Sequence, residues 1–124
     1  MGATTMKRGT TPTFRVRLNY DDLSVFASVD FLFKQSNTEA ENVPKILKTY
    51  PSDDVQLVDG AYEISFSEAE SRTFAPDSVV YLDVRPTTVS GSIPRTPMST
   101  IRVAPTLYKE AALVDDNNGG EGGA

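Results

Sequence analysis

Apolar and polar residues alternate with period two through the middle of the chain, the spacing that gathers one set of side chains on one face of an extended strand. Phe14, Val16 and Leu18 alternate with Arg15, Arg17 and Asn19. Asp21-Asp22 then supplies a turn, after which Val25, Ala27, Val29, Phe31 and Phe33 share one parity against Ser28, Asp30 and Lys34. Phe26 and Leu32 interrupt the polar side, so this run is expected to be covered on both faces near its ends and to form the centre of the fold. Gln35 to Asn42 reads as a polar connection. Lys45–Tyr50, bracketed by Pro44 and Pro51 too tightly for a helix, reads as a short edge strand.

Val55–Val58 and Tyr62–Phe66 flank Asp59-Gly60, a pair that tolerates the positive φ of a tight hairpin turn, and Tyr62, Ile64 and Phe66 are expected to face inward. Ser67-Glu68-Ala69-Glu70 fits a capping box, with Pro76 limiting any helix to one or two turns. Val80, Leu82 and Val84 then alternate with Tyr81, Asp83 and Arg85. Pro86 to Pro97 reads as a loop, Ile101 and Val103 as a final strand ended by Pro105, and Leu107 to Val114 as a short apolar arm or helix.

About seven short strands separated by turn signals predict an all-β fold, an antiparallel immunoglobulin-like β-sandwich with one short helical turn and extended termini. The expected organisation is an N-terminal arm over 1–12, the sandwich over 13–105, and a C-terminal arm with an acidic, glycine-rich tail over 106–124. With neither Cys nor Trp in the chain, the core volume must come from Phe14, Phe31, Phe33, Phe66 and Leu82.

Composition narrows the chemistry. Without Cys there are no disulfides or thiolate sites, and without His neither a Ser-His-Asp triad nor the usual zinc ligands are available. The formal net charge of −5 hides a polarity: Lys7, Arg8, Arg15 and Arg17 precede the first acid, whereas Glu110, Asp115, Asp116 and Glu121 close the chain with no base among them. Such separation suits head-to-tail contact with a copy or a neighbour, although two solvated ends would look the same. The acidic balance and the absence of aromatics interleaved with a basic stripe argue against nucleic acid. There is no apolar run long enough to span a membrane, and Arg8 to Thr13 is polar where a secretory signal needs an apolar stretch, so the expectation is a protein made and kept in a cytoplasm unless carried out in a particle.

The paired carboxylates Asp21-Asp22, Asp53-Asp54 and Asp115-Asp116 fall in expected turns, where Asp hydrogen-bonds locally, rather than across a cleft; a calcium site between loops is the alternative. The Asp115–Gly120 stretch begins like a calcium loop but carries Gly119 where a ligand is needed. No phosphate-binding glycine motif is present. The reading is therefore not an enzyme, with no cofactor and no small-molecule substrate. Thr10-Thr11-Pro12-Thr13, Pro86-Thr87-Thr88 and Pro94-Arg95-Thr96-Pro97 are proline-restricted segments, suited either to docking a partner or to blocking strand addition at sheet edges.

Lys7-Arg8-Gly9-Thr10-Thr11-Pro12-Thr13-Phe14 resembles the opening of small bacteriophage virion structural proteins, in particular the immunoglobulin-like N-terminal domain of baseplate upper proteins. Phe31 to Gln35, Ser67 to Phe74, Asp83-Val84-Arg85 and Ile101-Arg102-Val103 resemble later strands and a corner of that group. The sequence departs from it in having no long coil or receptor-binding region after the sandwich.

The resemblance implies a non-enzymatic virion component, made in the bacterial cytoplasm and acting as an adaptor or scaffold subunit of the tail, baseplate or neck. The alternatives are a capsid decoration protein, or a host-surface or carbohydrate-binding module using Tyr20, Tyr50, Tyr62 and Tyr81. Expected partners are other virion proteins and copies of itself, contacted through Lys7, Arg8, Thr10, Pro12, Arg15, Arg17, Leu107, Tyr108, Asp115 and Asp116.

Overall fold

The structure, a computed structural model, describes residues 4–20, 22–94, 96 and 98–105. Its strands are β1 (Thr4–Lys7), β2 (Thr13–Val16), β3 (Phe26–Lys34), β4 (Lys45–Tyr50), β5 (Val55–Val58), β6 (Ala61–Ser65), β7 (Ser78–Thr88) and β8 (Ser99–Ala104), with a 3-10 turn at Leu23–Val25 and a single helical turn, α1, at Glu68–Ser71. The fold is mostly β. A five-stranded sheet has the order β1-β8-β7-β3-β4 and a three-stranded sheet the order β2-β6-β5. Phe14 of the smaller sheet meets Phe33 of the larger at 6.0 Å, and Phe33 meets Phe66 at 4.8 Å nearly edge-on, so the aromatic core lies between the sheets. Phe14, Phe31, Phe33, Phe66 and Leu82 are all buried, joined by Tyr62 and Phe74.

Local signals land where chemistry puts them. Asp59 and Gly60 take φ of 50° and 76°, closing the β5–β6 hairpin at the Val58↔Ala61 pair. Ser67 Oγ accepts from Glu70 N while Glu70 Oε1 accepts from Ser67 N, completing the capping box. β4 is an edge strand.

Four expectations need correction. Residues 1–12 are not wholly an arm: β1 pairs with β8, Thr4 to Ile101 through Lys7 to Ala104, and Met6 is fully buried. That pairing is parallel, so the larger sheet is mixed rather than antiparallel. Val25 and Ala27 are exposed and Phe26 is buried, because the β3–β7 ladder shifts register between Phe26 and Ser28. One extra residue in a strand reverses which parity faces inward. Finally, Pro86 lies inside β7 opposite Val29 instead of opening a loop. β8 accompanies β7 only from Ser78 to Leu82, so Pro86 occupies a stretch with one ladder neighbour, where a missing N–H can face the unpaired side.

Candidate functional site

The basic residues expected to bind partners divide into two places. Arg8 is bound into the protein's own body: Nε donates to Phe74 O at 2.7 Å and Nη2 to Arg72 O at 2.9 Å. Beside it, fully buried Ser71 accepts through Oγ from Gly9 N and Thr10 N at 3.0 and 3.1 Å, and donates toward Thr10 O and Glu68 O. Gly9, at φ 76°, makes the turn that lets the chain pass from β1 to β2 through this corner. Pro12 accepts from Phe66 N at 2.9 Å, and Thr10 Oγ1 donates to Lys7 O. Lys7 and the Thr10 side chain are exposed, but the backbone beneath them is fixed.

Arg15 and Arg17 stand elsewhere, Arg15 on the exposed face of the smaller sheet and Arg17 on the segment that follows β2. They alternate with Phe14, Val16 and Leu18, whose parity turns inward, and are themselves exposed. Arg15 pairs with Glu63 at 3.3 Å across the β2–β6 ladder. Arg17 reaches the carbonyls of Gly60 and Asp59, each at 3.4 Å. These are long, solvent-exposed contacts worth little energy, so both guanidinium groups remain available to a partner.

β2 ends its sheet and is paired with β6 on one side. Along it runs a cleft of about 470 Å3 that includes Phe14, Val16, Leu82 and Ile101 in its walls, with Ser99 and Thr100 beside them. It is followed by a second cleft of about 360 Å3 lined by Leu18, Tyr20, Val84 and Thr96. Val16, Arg17 and Ser99 line both, so the two form one furrow between β2 and the larger sheet.

Sequence reasoning did not find the buried ammonium of Lys48. Lys48 is 4% exposed although it lies on edge strand β4, because its position opposite Phe31 turns it toward the interior. Its ammonium donates to Asp54 Oδ2 at 2.9 Å and to both oxygens of Glu70 at 2.8 and 2.9 Å, and lies 5.1 Å from the centre of the Phe66 ring. Burial pushes the Glu70 carboxyl upward, but the hydrogen bonds from Lys48 and the Ser67 N–H, with the Lys48 charge, hold it below its ordinary value. The trio ties β4, the turn before β5 and α1 together. Period-two reading does assign Lys48 the inward parity, and a charge there was the available signal.

Of the remaining paired acids, Asp22 and Asp53 sit at turns. Asp22 accepts from Ser24 N and Ser24 Oγ, which lowers its pKa, and Gln56 Nε2 donates to Asp53 O. Tyr62 is buried, which raises its pKa, as does the neighbouring Tyr50. Its burial removes it from the proposed sugar-stacking set, while Tyr20 packs edge-on against Phe26. Asp21, Leu107, Tyr108, Asp115 and Asp116 lie outside the described residues. Among the described residues, no group of three or more acids is placed to hold a metal ion, and no helix is long and apolar enough to cross a membrane.

Searches of family models, curated proteins and solved structures gave no match for this chain.

Proposed function

We propose that the protein is a non-enzymatic virion structural subunit, an immunoglobulin-like block that joins neighbouring proteins in a phage tail, baseplate or neck. The strand orders support the immunoglobulin-like part: β8-β7-β3-β4 facing β2-β6-β5 follows the division between the two sheets of a variable-type sandwich, with β1 added beside the last strand. The observation that carries the functional reading is the presentation of Arg15 on β2 and Arg17 just past its end, both exposed, weakly engaged and beside an open furrow. The body behind them is braced by aromatic packing and the Lys48 trio, as a load-transmitting block requires. Acidic surfaces on neighbouring subunits are the complementary partners.

The experiment is incorporation. An Arg15→Glu, Arg17→Glu chain is expected to fold with an unchanged circular dichroism spectrum and to be depleted at least tenfold from purified particles. Wild-type occupancy of particles by that variant overturns the reading. Gold labelling of wild-type particles places the subunit, and label over the head instead of the tail replaces the adaptor role with capsid decoration.

A further inference from the structure

We infer that the free side of β2 is a strand-acceptor site, filled by residues 107–114 of a second copy of this chain. The inference rests on the adaptor reading for its setting and names the partner of the same surface.

Among the described residues the two sheets are unequal, five strands against three, and β2 is where the smaller one stops. In an antiparallel ladder alternate residues direct their N–H and C=O groups to opposite sides, so β2 has backbone groups directed away from β6 as well as toward it. The furrow lies along that free side, with Val16, Leu82 and Ile101 among its apolar walls. An extended segment laid there gains ladder hydrogen bonds from the backbone and a pocket for every second side chain, which is how strand addition achieves both affinity and register.

The segment is in the chain itself. Leu107 to Val114 matches in length the run from Thr13 to Tyr20 that borders the furrow. Leu107, Ala111 and Leu113 share one parity and Glu110 has the other. Placing the leucines toward the furrow sets Glu110 on the face that carries Arg15 and Arg17, and Asp115-Asp116 follow immediately. Lys109 shares the leucines' parity, and its long stem can carry its charge out past the Ser99–Thr100 rim.

Chain geometry favours a second copy over the same one. The backbone leaves β8 at Ala104, which accepts from Arg8 N at 3.1 Å, beside the corner occupied by Gly9, Thr10 and Ser71. Crossing between packed sheets takes about 10 Å. The three steps from Ala104 to Leu107 reach about 10–11 Å only when fully extended, which leaves no length for reversing direction around Pro105. A neighbouring copy has no such constraint, and head-to-tail donation builds a chain of subunits.

The test uses the full chain, a chain ending at Pro105, and a synthetic peptide of residues 106–116. The described core runs from Met6 to Val103, so the shortened chain retains it. Sedimentation velocity is expected to show concentration-dependent association of the full chain and a monomeric shortened chain. The peptide is expected to bind the shortened chain, to shift amide resonances of Thr13–Val16, and to bind at least tenfold more weakly to a shortened Arg15→Glu, Arg17→Glu chain. Association that persists after shortening, peptide shifts away from β2, or a full chain that stays monomeric while the peptide binds the shortened one each overturns the inference. If the charge-reversed variant is lost from particles while the purified full chain does not associate, the adaptor reading stands and strand donation by a second copy falls.

Discussion

Lys48 Nζ lies 2.8 and 2.9 Å from the two carboxylate oxygens of Glu70, and one of those oxygens also accepts from Ser67 N at 2.8 Å. A single carboxylate therefore caps α1 and neutralises a buried ammonium at once. The burial is lopsided: the side chain of Lys48 is 3% exposed, against 34% for Glu70 and 58% for Asp54. When the lysine is removed, the acids can return to water. When the acids are removed, the ammonium cannot.

That asymmetry predicts opposite outcomes for two variants. The Asp54→Asn, Glu70→Gln chain is expected to lose roughly 3–5 kcal/mol, the cost of stranding a buried charge. Lys48→Met, which keeps the apolar stem against Phe66, is expected to lose less than half of that. Urea denaturation of both variants checks the order, and equal losses would mean that packing rather than charge holds this corner.

The Glu70 carboxyl is held below its ordinary value in the folded protein, so over the window between the two values the unfolded chain binds more protons. Stability therefore rises with pH there. The contribution of Glu70 is complete above its unfolded pKa of about 4.3 and is lost as pH falls through the lower folded value. Asp22 acts in the same direction from a fully exposed position. Denaturant midpoints measured from pH 6 to pH 2.5 should fall steeply at the acid end, and Glu70→Gln should flatten that fall while lowering the plateau above it.

Ser71 carries the corner that fastens the N-terminal strand. Replacing it with Ala leaves Gly9 N and Thr10 N without the hydroxyl they donate to, at a cost of about 1–3 kcal/mol for buried groups left unpaired. Limited proteolysis is expected to cut the Ser71→Ala chain between β1 and β2 faster than the parent. An unchanged cleavage pattern would show that Arg8 and the β1–β8 ladder hold the strand without it.

Gly60 has φ of 76°, and a Cβ built there would sit 3.2 Å from Arg17 Nη1. The guanidinium can move, but the backbone conformation cannot be adopted freely by an L residue. Gly60→Ala should cost about 1–2 kcal/mol, lowering the melting temperature by roughly 4–8 °C for each kcal/mol in a domain of this size. A melting temperature equal to the parent's would contradict the hairpin geometry.

The features readable along the chain are those whose causes lie a few residues apart. Alternation along Thr13–Val16 and Val79–Arg85, the Asp59-Gly60 turn and the Ser67–Glu70 box all depend on backbone sterics and hydrogen bonds between near neighbours. Five of the aromatic and aliphatic core residues could be named for the same reason: parity on a strand assigns a face. The furrow beside β2 is not legible in the sequence, since it exists only where β2 passes Leu82 and Ile101, although the alternation that exposes Arg15 and Arg17 is.

The pairings between distant segments come from the folded arrangement. Thr4 meets Ile101, Arg8 is held by the carbonyls of Arg72 and Phe74, and Lys48 finds Glu70. The β3 bulge belongs with these: it appears only against β7, and it decides that Phe26 is buried and Ala27 is not. Local pattern fixes which way a side chain points relative to its own strand, whereas burial and charge pairing depend on what the rest of the chain brings opposite it.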